Sequence, residues 1–76
     1  MITIRGIVIP IDWDEEGNIV AIAVSTHDEE EYLICGQDKG EELRTHIREE
    51  VEISGVLRKE KGKKTIIVID YSSKKV

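Results

Sequence analysis

The chain has 76 residues, 36% of them charged, and a formal charge of −5. Val and Ile number 20 against three Leu, two Ala and no Phe, which favours strands over a helix bundle because branched side chains suit a pleated surface. The apolar runs argue against disorder and are far too short for a membrane helix. The single cysteine, Cys35, leaves no disulfide framework and no cysteine-based zinc site.

The charge is unevenly placed. Residues 1–38 carry nine acids and one base, and residues 39–76 carry seven acids and ten bases. Three short segments hold most of this asymmetry: four acids in 12–17, four in 28–31, and five bases with one acid in 58–64. Each lies between apolar runs, where loops are expected. An acidic total makes a poor generic binder of nucleic acid, since that affinity comes largely from neutralising phosphates.

In chain order, residues 2–13 read as one long bent strand serving two halves of a small barrel. Ile2 and Ile4 share one parity, and Ile7, Ile9, Ile11 and Trp13 share the other. A parity switch needs one extra residue, so a β-bulge is expected at Arg5-Gly6. Ile7, Ile9, Ile11 and Trp13 then point inward, with Val8, Pro10 and Asp12 outward. Pro10 lacks an N–H, so pairing is expected to break on one side there. Gly17-Asn18 signals a turn. Residues 18–26 form a second strand, with Val20, Ile22 and Val24 inward and Ile19, Ala21 and Ala23 on a smooth outer face. Tyr32 to Gln37 is the third strand of a meander.

Asp38 and Glu41 have capping-box spacing, with Asp in place of Ser or Thr. Leu43 and Ile47 share a helical face with Val51 beyond, which predicts a helix of up to three turns over 41–49. Val51, Ile53, Gly55 and Leu57 alternate with Glu52, Ser54, Val56 and Arg58 in a fourth strand. Residues 60–63 turn at Gly62, and residues 65–71 form a fifth strand that is apolar on both faces. Residues 72–76 are a polar tail. One domain over 1–76, with its core in 2–71, is expected.

Strand, strand, strand, short helix, strand, strand is an order that resembles the OB-fold, a five-stranded Greek-key barrel with a helix between its third and fourth strands. A ubiquitin-like β-grasp is disfavoured by three strands before the helix, and an SH3-like barrel by the helix itself. The resemblance implies a binding face on strands two and three, between the loops at 12–18 and 58–64. One such wall is acidic and the other basic, whereas a nucleic-acid groove is positive on both. The two loops are therefore expected to attract each other, or complementary loops on a second copy.

The candidate ligand-binding residues are Trp13, Ala21, Ala23, Tyr32, Arg58, Lys59, Lys61, Lys63 and Lys64. Trp13 fits a base-stacking platform, but its parity favours closing the core. The basic run fits phosphate contacts, but such a run is more often a solvated turn whose lysines deter edge pairing. Asp12, Asp14 and Glu16 resemble the start of a calcium loop. The position that would need a bidentate Glu is Ala23, so a solvated acidic turn is favoured. His27 and His46 lack partners at catalytic or ligand spacing, and Cys35 reads as a small buried hydrophobe. No serine or glycine motif of a hydrolase, P-loop or dinucleotide site occurs. The expectation is a cytoplasmic, non-catalytic module with no cofactor, no secretory leader and no membrane contact. Its partner is a protein or a second copy, and weak single-stranded nucleic-acid binding is the alternative.

Overall fold

The computed structural model describes residues 1–35 and 38–73, and only the backbone of Asp38. The expected strand end at Gln37, the capping side chain of Asp38 and residues 74–76 of the tail lie outside the described residues. Five strands and one short helical segment follow the chain: β1 (Ile2–Trp13), β2 (Ile19–Thr26), β3 (Glu31–Cys35), α1 (Asp38–Glu42) continuing as a 3-10 turn (Leu43–His46), β4 (Glu50–Glu60) and β5 (Lys63–Ser73). Hydrogen bonding joins the strands in a closed ring, β1-β2-β3-β5-β4. All neighbours are antiparallel except β3 and β5.

The length of β1 explains the closure. Residues 2–7 pair with β4 and residues 6–13 pair with β2, so one strand belongs to both halves of the ring. Pairing is in regular register through Gly6, and the irregularities come later, around Asp12. The expected bulge at Arg5-Gly6 is therefore absent. From Ile2 to Val8 the even-numbered residues face inward: Val8 is fully buried, and Ile2 and Ile4 pack against the core, while Asp12 is exposed as expected. Ile7 and Trp13, expected inward, are 42% and 53% exposed. Gly6 serves close approach instead of a bulge, since a Cβ there would fall on the Ser25 carbonyl oxygen. The β2 backbone lies too near Gly6 for any side chain there.

The alternation slips at the start of β2, opposite the irregular stretch of β1. Ile22 and Val24 are buried as expected, but Val20 is 43% exposed and Ile19 packs against the core. Pro10 sits where pairing with β4 has ended. Val8 sends its N–H to the Glu49 carbonyl at 3.2 Å and accepts from the Arg48 N–H at 2.7 Å. Pro10 shares that orientation two residues on, so its missing N–H leaves no ladder bond unmade.

The helical segment lies earlier than its periodicity predicts, over 38–46 instead of 41–49, and its second half is a 3-10 turn. It tightens at Leu43 and ends at His46. Thr45 donates its hydroxyl to the Glu42 carbonyl at 2.8 Å, a local bond that competes with helical continuation. Arg48 then takes φ 68°, turning the chain onto Val8. Leu43 is buried and Ile47 packs against the core, while Val51 belongs to β4.

The core comprises Val8, Ile22, Val24, Leu43, Val51, Ile53, Ile66 and Val68. Val51, Ile53 and Gly55 point inward as the alternation predicts. Leu57 shares their parity but is 43% exposed, because the β4-β5 hairpin runs beyond the last β1 partner, Ile2 opposite Gly55. Ile69 is the extra residue of a bulge in β5, and Tyr71 beyond it returns to the core side opposite Ile53. Among the described residues no helix is long and apolar enough to cross a membrane.

Candidate functional site

The outer faces of β1, β2 and β3 form a row of apolar side chains. Ile9 stands opposite Ala23, Ala23 opposite Leu33, and Leu33 opposite Thr65 of β5. Ala23 faces away from Ile22 and Val24 yet has no exposed surface, because its methyl sits between two larger cross-strand neighbours. The small-sided patch expected of Ile19, Ala21 and Ala23 is thus not an exposed one. Ile19 packs inward, Ala21 is half-buried and Ala23 is covered. Apolar surface remains open at Ile7, Ile9, Ile11 and Leu33, and at Trp13 and Val20 at the end of β1 and the start of β2.

Beside this row lies a groove of about 510 Å³, lined by Ile11, Glu30, Glu31, Leu33, Gly62, Lys63 and Lys64. Three segments build it. Ile11 comes from the end of β1, Glu30 and Glu31 from the turn into β3, and the remaining charges from the β4-β5 hairpin. That hairpin turns through Lys61 and Gly62, both at positive φ (50° and 79°), with Glu60 opposite Lys63. This is the two-residue turn that matches strand twist, and it favours glycine at its second position.

The basic segment meets the second acidic turn, not the first. The Lys64 ammonium pairs with the Glu30 carboxylate and lies 5.6 Å from the Tyr32 ring centre. The bond to Glu30 holds the Lys64 ammonium above its usual range. Arg58 reaches Glu60 at 3.8 Å. Among the described residues no ion pair joins 12–17 to 58–64, so the expected attraction between those loops is redirected to Glu30.

The 12–17 turn is held by its own carboxylate. Asp14 Oδ1 accepts from the backbone N–H groups of Glu16 and Asn18, each at 2.9 Å, and Oδ2 accepts from the Asn18 amide at 3.2 Å. Those bonds, the Asn18 N–H first, hold the Asp14 carboxyl below its ordinary value. Asp12 accepts from the Trp13 N–H. Among the described residues no group of three or more His, Cys, Asp or Glu is placed to hold a metal ion.

Of the expected binding residues, the groove collects Lys63 and Lys64, with Tyr32 behind Lys64. Arg58, Lys59 and Lys61 are exposed on the hairpin, and Trp13 and Ala21 stand apart from the groove lining. Sequence reasoning missed Ile11, Leu33, Glu30 and Glu31. The signal for Ile11 was present: continuing the parity of Ile2 and Ile4 through Val8 turns the odd isoleucines outward. Two further expectations fail. Cys35 is exposed, because β3 places it on the outer face opposite Ile67. His46 has a carboxylate partner, Glu49, at 3.2 Å, which also accepts from the Ser73 hydroxyl at 3.1 Å.

No family model, curated protein or solved structure matches this chain.

Proposed function

We propose that the chain is a non-catalytic interaction module on an OB-like Greek-key barrel. Its outer groove takes a short segment of a protein partner or of a second copy. The barrel reading is supported by the ring order β1-β2-β3-β5-β4, the parallel β3-β5 pair and the helical segment following β3. One observation carries the functional reading. The groove has an apolar floor, Ile11 and Leu33, between acids Glu30 and Glu31 and bases Lys63 and Lys64. A peptide supplies apolar groups and both charge signs. A phosphate backbone would meet two carboxylates and an ammonium already neutralised by one of them.

The test begins with peptides selected from a random-sequence display library, mapped by amide chemical shifts on the labelled chain. Shifts at Ile11, Leu33 and Lys63, with affinity falling at least tenfold in Leu33→Glu, support the groove. Light scattering that gives a dimer lost in Leu33→Glu identifies a second copy as the occupant. Selected peptides that map elsewhere, from a chain monomeric at every concentration, overturn the proposal.

A second reading rests on Trp13, which is 53% exposed and so stands free to stack on a base. Single-stranded nucleic acid would then contact Trp13 together with Lys59, Lys61 and Lys63. Its mark is quenching of Trp13 fluorescence by an oligothymidylate in low salt. The affinity would fall steeply as salt rises and weaken in Lys61→Glu. Unchanged fluorescence in low salt removes it.

A further inference from the structure

The β4-β5 hairpin outruns the ring. Pairing of β4 with β1 ends at Gly55 opposite Ile2, whereas its pairing with β5 continues to Glu60 opposite Lys63. Residues 56–60 therefore have a β5 neighbour on one edge and, among the described residues, no strand on the other.

The orientation of the backbone on that open edge follows from β1. Val8 directs both its N–H and its C=O toward residues 48–49, the β4 side. Orientation alternates along a strand, so Ile2, Ile4 and Gly6 do the same toward their partners Gly55, Ile53 and Val51. Gly55 thus aims at β1, and Leu57 and Lys59 aim the same way past its end. Two N–H and two C=O groups line the open edge, which is the template that strand addition uses.

The charge on this edge selects its occupant. Lys59 stands directly across from Lys64, a like-charge pair that opposes the hairpin. Lys64 is neutralised by Glu30, while Lys59 has no ion pair among the described residues. An acid laid beside Lys59 relieves that repulsion. An antiparallel second copy bonded through Leu57 and Lys59 would instead set Arg58 against its own counterpart and lay Leu57 beside Lys59, supplying no acid there.

We propose that residues 56–60 of β4 accept an extended acidic segment of a partner protein as an added strand, bonded to the backbone of Leu57 and Lys59. None of residues 56–60 lines the groove of Ile11 and Leu33, so the two sites use different residues of the hairpin.

The probe is the capped hexapeptide Glu-Val-Glu-Val-Glu-Val, added to the full-length labelled chain, with Gln-Val-Gln-Val-Gln-Val as its neutral counterpart. Amide hydrogen exchange at Leu57 and Lys59 is expected to slow at least tenfold with the acidic peptide, leaving Leu33 unchanged. The neutral peptide is expected to bind at least tenfold more weakly. Lys59→Pro removes the edge N–H without touching a β5 bond, so it should bind at least tenfold more weakly than Lys59→Gln, which keeps it. The exchange measurement stands by itself if Lys59→Pro fails to fold. Unchanged exchange at both amides overturns the proposal. So does equal binding of the two peptides, or equal affinity in Lys59→Pro and Lys59→Gln. Protection of these amides that rises with protein concentration and no peptide makes a second copy the occupant, which also overturns it.

Discussion

Asp14 organises the first turn with one carboxylate that takes two backbone N–H groups and the Asn18 amide. Its pKa lies below the ordinary 3.8 in the folded chain. A depressed acid contributes stability above its unfolded pKa and loses it as pH falls through the folded value. Asp14→Asn should therefore flatten the decline in stability below pH 3.8, measured by denaturant titration at a series of pH values. Lys64 has the opposite sign. Its pKa is raised by Glu30, so its contribution is full below 10.5 and is lost as pH rises through the folded value. Glu30→Gln should flatten that alkaline limb. The Lys64 partnership was not legible in the sequence, since Glu30 and Lys64 are 34 residues apart and only the ring brings them together. Gly6 is the third informative residue. Gly6→Ala would force a methyl onto the Ser25 carbonyl, and the cost should reach or pass the upper end of the ~1–3 kcal/mol usual for overpacking.

At the scale of elements, β4 was the most readable. Its alternation places Ile53 in the core with no exposed surface, and Ile53→Ala should cost ~2–5 kcal/mol in denaturant unfolding. A chain of this size has only ~4–11 kcal/mol to lose. The β4-β5 turn was also readable, because a Gly between charged residues marks a hairpin. Lys61 occupies the first turn position at φ 50°, where Asn is better tolerated. Lys61→Asn should stabilise the chain by up to about 1 kcal/mol, read as a raised denaturation midpoint. β1 was misread for a physical reason. Isoleucine occupies both parities of this strand, so hydrophobicity does not distinguish the core row from the outer row. Val8 decides between them only once β4 and β2 are in place on either side. The helical segment was placed too late because Leu43 and Ile47 fit helical spacing, while the chain leaves the helix after His46 and turns through a left-handed Arg48.

For the whole molecule, element order and the bridging role of β1 were evident from the chain, whereas the strand order of the ring, β1-β2-β3-β5-β4, emerges only from the pairing. The distribution of charge was evident too, but not its pairing. The basic hairpin is countered by the 28–31 turn, leaving the 12–17 turn to organise itself. The net charge of −5 is therefore built around one internally bonded acidic turn, one acidic turn partly paired with Lys64, and a hairpin whose Lys59, Lys61 and Lys63 have no ion pair among the described residues. This geometry gives the groove its mixed walls, on which the proposed preference for a peptide over a polyanion rests.

The most direct measurement is amide shift mapping of two probes on the same labelled chain: a library-selected peptide, and an oligothymidylate in low salt. The account predicts that the peptide moves Ile11, Leu33 and Lys63, that Leu33→Glu abolishes this, and that the oligonucleotide leaves those three amides in place. Oligonucleotide shifts centred on Ile11, Leu33 and Lys63, with the peptide mapping elsewhere, would contradict it.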